Sequence, residues 1–142
     1  MSSKTYLSVL AIAFLPPPCS IAQGIGVSQV LTSGASAYRS KGTSAAVNAW
    51  LENSFLGRDS DLVSRTVSSL KDVEAAFGAF VGLDVVATSR IGSRVVRNYV
   101  VLLYERGPLF AYFDTYRASE KTTVTGFLFN TKPDAIFPSR LL

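Results

Sequence analysis

One acid in an aromatic run is where chemistry could begin. In "YVVLLYERGPLFAYFDTYR", Tyr99 to Arg117, Asp114 stands with Tyr112 and Tyr116 two residues away on either side. Side chains two apart on a strand share a face. A carboxylate desolvated among phenols has its pKa raised, and such a group can take up and return a proton. One candidate site follows, with Asp114 as general base and Tyr112 or Tyr116 as hydrogen-bond donor. It would suit an acid–base enzyme of the isomerase or dehydratase type. Other chemistries are removed by composition. The chain has no histidine and a single cysteine, Cys19. Zinc and copper sites built on His or Cys are excluded, as are Ser-His-Asp and Cys-His catalysis. No metal and no cofactor is expected. Ser68 and Lys71 have the S-x-x-K spacing of penicillin-recognising serine enzymes, but the S-D-N and K-T-G partners of that motif are missing.

The elements that would position Asp114 read as two apolar strands joined by "ERGP". If Glu105 to Pro108 form a four-residue loop, Tyr104 lies opposite Leu109, Tyr99 opposite Asp114, and Arg97 opposite Tyr116, diagonal to Asp114. One face then carries Arg97, Tyr99, Val101, Leu103, Phe110, Tyr112, Asp114 and Tyr116. The other carries Val96, Val100, Leu102, Tyr104, Leu109, Ala111 and Phe113, and is the face expected to meet the helices. Facing a cone, Asp114 would be a buried acid. Facing outward, it would be solvated or paired with Arg97. Gly107 and Pro108 are expected to set the turn, Gly by a positive φ.

Helices come first in the chain. Val27, Val30, Leu31, Gly34, Ala35 and Tyr38 repeat at helical spacing. A break at Gly42 follows, and Thr43 or Ser44 can cap a second helix with Val47, Trp50, Leu51 and Phe55 as its apolar face, closed by Gly57. Asp59 and Asp61 suit the start of a third helix, whose apolar residues Leu62, Thr66, Leu70, Val73, Phe77 and Phe80 run to Gly82. The period then changes to two. "DVVATSRI" and "RVVRNYVVLLY" flank Gly92-Ser93, a two-residue turn with Gly first. "LFAYFDTYR", the polar "ASEK" and "TTVTGFLFN" complete about four strands, and "TKPDAIFP" is a tail. Helices followed by a meander is α+β: helices packed on one face of an antiparallel sheet.

The N-terminus has another logic. Lys4, an apolar run from Tyr6 to Leu15, three prolines and the small residues Ser20 and Ala22 form the pattern of a secretory signal peptide cut after Ala22. Residues 1–22 would be removed and 23–142 would form a single α+β domain, periplasmic or secreted. The run is too short for a transmembrane helix. Lys and Arg number 14 against 10 Asp and Glu, and no recognition motif accompanies that small excess, so nucleic acid is not an expected partner.

"VEAAFGAFVGLDVV", "YVVLLYERGPLFAYFDTY" and the terminal "GFLFNTKPDAIFP" resemble a group of small exported bacterial proteins of unknown function, within the cystatin-like and nuclear transport factor 2-like (SnoaL-like) α+β superfamily. The resemblance implies a cone of helices on a curved sheet of about four strands. It implies no activity, because the shared pieces mark turns and strand ends. In enzymes of the wider superfamily, such as ketosteroid isomerases, polar groups inside the cone do acid–base work, and none of their motif residues is carried over to this chain.

The leading expectation is a non-enzymatic exported module. It would bind a small apolar ligand in the cone, lined by Tyr38, Trp50, Phe77, Tyr99, Phe110 and Tyr112, or associate as a homodimer through its sheet face. The Asp114 enzyme is the alternative. Arg90, Arg94 and Arg97 cluster around the first hairpin and would either meet an anionic group or keep an edge soluble.

Overall fold

A computed structural model describes residues 28–142 of the chain. The expected signal peptide, residues 1–22, lies outside the described residues, as does Val27. Three helices precede four strands: α1 (Gln29–Lys41), α2 (Thr43–Trp50), α3 (Ser60–Phe77), β1 (Phe80–Ile91), β2 (Val95–Tyr104), β3 (Gly107–Ala118) and β4 (Lys121–Asn130). The strands form one antiparallel sheet in the order β1-β2-β3-β4. The α+β architecture expected from the change of hydrophobic period is the one observed.

The first two helices fold back on each other at Gly42, whose amide closes α1 by donating to the Tyr38 carbonyl at 3.0 Å. Their contact is tightest at Gly34. A Cβ there would lie 2.1 Å from the indole ring of Trp50, so only hydrogen fits. The indole Nε1 donates to the Leu31 carbonyl at 3.2 Å, which removes the one polar cost of burying a tryptophan. Asp59 caps α3 as expected, its Oδ1 accepting from the Leu62 amide at 2.9 Å.

Two helix ends differ from expectation. The second helix stops at Trp50, short of Phe55 and of the expected close at Gly57, and a 3-10 turn (Leu56–Arg58) follows. The third stops at Phe77, capped by Gly78 at φ 86°, and Phe80 already belongs to β1. Gly82, expected to close that helix, lies in β1 instead. The reason is tertiary, because the β2–β3 turn clamps the end at Gly78. The amides of Arg106 and Glu105 donate to the carbonyls of Phe77 and Ala79 at 2.7 and 3.1 Å. The Arg106 guanidinium donates to the Ala75 and Ala76 carbonyls, where a cation also suits the helix C-terminal dipole.

That clamp changes the register. Tyr104 pairs with Gly107 and Leu102 with Leu109, so the loop is the two residues Glu105 and Arg106, not four. Tyr99 faces Tyr112, and Arg97 faces Asp114 directly. A two-residue slip preserves side-chain faces, so the expected partition of this hairpin into two faces stands. Gly107 has no positive φ, contrary to the expected turn role. In the first hairpin Ile91 pairs with Val95, which makes the loop three residues, Gly92 to Arg94, instead of two.

Leu31, Val47, Trp50, Leu70, Val100, Leu102, Ala111, Phe113 and Val124 form the core between helices and sheet, each at most 2% exposed. The tail crosses the opposite face of the sheet. There Ile136 and Phe137 pack on Tyr99, and Phe137 sits edge-on to Phe110 at 5.5 Å. Both sheet edges are blunted. β1 carries register shifts near Val81 and Val86, and Arg39 donates to the Val81 carbonyl. On β4, the Ser54 hydroxyl donates to the Val124 carbonyl. Irregular or covered edges resist pairing with a further strand.

Candidate functional site

The strands outrun the helices. The longest strands have 12 residues, ~40 Å. The 13 residues of α1 and 8 of α2 make ~20 and ~12 Å. Along β2, the helix-side row reads Tyr104, Leu102, Val100 and then Asn98, Val96 and Arg94. Along β3 it reads Leu109, Ala111, Phe113 and then Thr115 and Arg117. The row becomes polar where the start of α1 and the end of α2 leave the sheet uncovered.

A cleft of about 1080 Å³ opens there. Ser28, Gln29 and Ser33 of the α1 end, and Ala49, Glu52 and Asn53 of the α2 end, form one wall. Asn98, Thr115 and Thr122 are on the sheet side, with Arg90, Arg94, Arg117 and Lys121 from the two hairpin tips. Asn98 and Thr115, 2% and 4% exposed, are tied together. Asn98 Nδ2 donates to the Val96 and Phe113 carbonyls and to Thr115 Oγ1, each at 3.2 Å, and Thr115 Oγ1 donates to the Val96 carbonyl at 3.1 Å. Among the described residues none donates to Asn98 Oδ1. The Ser28 hydroxyl is also buried without a partner among them.

The covered part of the interior is full. The space bounded by Val47, Trp50, Leu51, Phe113, Phe127 and Phe129 has no room for a water. Trp50 and Phe113 have ring centroids 5.2 Å apart. At the other end of the core, Tyr38 stacks on Phe80 at 4.2 Å, and its hydroxyl meets that of Tyr104 at 3.2 Å. Thr43 Oγ1 lies 3.5 Å from the Tyr38 hydroxyl and donates to Glu74 Oε2 at 2.5 Å. Burial pushes both phenols above the ordinary tyrosine range. For Tyr38, hydrogen bonds from Thr43 and Tyr104 offset part of the rise. For Tyr104, the Tyr38 hydroxyl and the Glu74 charge add to it.

The six aromatic residues expected to line one pocket fall on two sides of the sheet. Tyr38, Trp50 and Phe77 pack into or against the helix-side core. Tyr99, Phe110 and Tyr112 lie on the tail-bearing face. A sheet separates the sets, so they do not line one cavity. Asp114 is on the tail-bearing face as well. Arg97 Nε and Nη2 donate to its two carboxylate oxygens, both at 2.7 Å. That pairing holds the Arg97 proton more tightly than an ordinary guanidinium, against a smaller opposing effect of desolvation. The Arg97 guanidinium also stands 4.0 Å over the Tyr112 ring. Tyr116 shares this face, opposite Val95. Of the three arginines read as a cluster, Arg90 and Arg94 line the cleft and Arg97 is on the other face.

Sequence reasoning missed Arg117, Lys121, Asn98 and Thr115. A signal for two of them was present. Asn98 and Thr115 are polar at helix-side positions of strands that are otherwise apolar there. Ser68 and Lys71 line a smaller groove of about 420 Å³ between α2 and α3. Among the described residues, no helix is long and apolar enough to cross a membrane. Comparisons with protein-family models, curated proteins and solved structures found no match to the chain.

Proposed function

We propose that the protein is a non-enzymatic binding module that takes a small polar ligand in the cleft beyond the helix ends. One observation carries this reading: the interior is filled where the helices cover the sheet, and a volume of about 1080 Å³ opens where they do not. That volume is slightly above the ~300–1,000 Å³ of typical small-molecule pockets, so a small ligand fits with room to spare. The polarity of its lining moves the ligand class away from the apolar molecule expected from the aromatic content. Export to the periplasm or outside the cell belongs to the same proposal and is supported by the pattern from Lys4 to Ala22.

The test is native mass spectrometry of protein purified without denaturation, followed by a thermal-shift screen of small polar metabolites. Binding should be lost in Ser33→Trp, which places a large ring at the cleft wall on an exposed helix position. A ligand that persists in that variant sits elsewhere. A folded protein that retains nothing and gains stability from no compound is not a binding module. The same spectra report an N-terminus at Gln23 if the leader is cut as proposed, and a doubled mass if two copies associate through the sheet.

A further inference from the structure

We infer that the ligand of this cleft is a small polyanion, carrying at least two carboxylate or phosphate groups. The inference rests on the binding reading above and adds the chemical class. Four cations line the cleft, Arg90, Arg94, Arg117 and Lys121, against two carboxylates, Glu52 and Glu120. They come from two hairpin tips that the sheet holds side by side, since the Arg117 amide donates to the Arg94 carbonyl at 2.9 Å. Alternation along the strands puts Arg90, opposite Val96, and Arg94, two residues before Val96, in the helix-side row, and Arg117, two after Thr115, in that row too.

Three arginines elsewhere in the sheet region are partnered. Arg97 has Asp114, Arg39 has the Val81 carbonyl, and Arg106 has the end of α3. Among the described residues no ion pair joins any of the four cleft cations to Glu52 or Glu120, and Arg117 reaches only the Ser119 carbonyl, at 3.3 Å. Cations in excess at one site repel one another, and a bound anion removes that repulsion. The start of α1 adds to the field. Its first turn carries no acid, and its positive end lines the cleft beside the buried Ser28 hydroxyl, which has no partner among the described residues. Four cations on two adjacent hairpin tips match a ligand with more than one anionic group, and arginine forks bind carboxylate and phosphate oxygens in pairs.

Titration calorimetry on the full folded domain tests this, with citrate, pyrophosphate and neutral sucrose as probes at fixed ionic strength. Citrate or pyrophosphate should bind and sucrose should not. Affinity should fall with added NaCl, because exposed charges are screened. Arg94→Ala and Arg117→Ala together should weaken binding at least about tenfold, whereas Arg65→Ala, on the exposed side of α3, should leave it unchanged. Citrate without pyrophosphate assigns carboxylates, and the reverse assigns phosphates. Should sucrose or another neutral compound bind in a way that Ser33→Trp abolishes, while neither anion binds at millimolar concentration, the anionic class is overturned and the cleft reading survives. Anion binding indifferent to both the arginine pair and Ser33→Trp overturns the site itself. Should no compound bind, both fall.

Discussion

The core around Trp50 and the cleft beside it are built on the same rows of the same strands. On β2, Val100 and Leu102 are fully buried under the helices, while Val96, and Arg94 in line with it just before the strand, border open space. On β3, Phe113 packs on Trp50 and Arg117 reaches the cleft. Nothing in the pleat distinguishes the two halves. The difference is whether a helix lies above. A short helical layer on a long sheet therefore makes a packed end, which holds the molecule together, and an open end, which is free to be polar. Stability should reside in the first and binding in the second.

The sharpest way to break that division is at Gly34. A methyl there collides with the Trp50 indole, and Gly34→Ala should cost about 3 kcal/mol, read by urea unfolding. A loss under about 1 kcal/mol would show that the two helices can simply part, and that the packed end is not rigid. The boundary comes next. Asn98→Ala leaves Thr115 and the Phe113 carbonyl short of a donor, and should cost about 1–3 kcal/mol. Alkaline pH probes the far end of the core. The unfolded chain ionises its tyrosines near pH 10, and the folded chain keeps Tyr38 and Tyr104 protonated above that. Stability is whole below pH 10 and falls as pH rises past it. In melting curves, Tyr104→Phe should flatten that fall.

Effects at the open end should be small. Ser119 holds φ 54° in the β3–β4 turn, so Ser119→Gly should add about 0.5–1 kcal/mol by relieving strain. Arg94→Ala, on an exposed position, should change stability by less than about 0.5 kcal/mol. A large loss there would mean that the cleft arginines support the fold and that the division is false.

The fold was legible from its periods. Helical spacing from Val30 to Tyr38, the Asp59 cap and the switch to alternation gave the element order, and alternation around Tyr104 and Leu109 gave the two faces of the hairpin. Turn lengths were not legible. "ERGP" reads as four loop residues until Arg106 and Glu105 are seen to hold the end of α3. The same clamp explains why that helix stops at Gly78 and not Gly82. The site was less legible still. Arg94 and Arg117 are 23 positions apart in sequence, and each reads locally as a solvated hairpin residue. Only the register between β2 and β3 makes them neighbours. The aromatic residues misled for a related reason. Composition counts Tyr38 and Tyr112 together, and the sheet puts them back to back.

The strand order β1-β2-β3-β4 has a consequence in time. Every strand pairs with its neighbour in sequence, so the sheet can form by successive short-loop closures, each hairpin on the scale of ~1–10 μs. The helical layer docks by distant contacts instead, such as Ser54 with Val124 across 70 positions and Tyr38 with Tyr104 across 66. Contacts of that span are the slow ones. One wall of the cleft is the pair of helix ends, so the cleft comes into being only when that docking is complete. A ligand that enters it selects the finished molecule over every partly folded predecessor, and its binding registers the arrival of the native state.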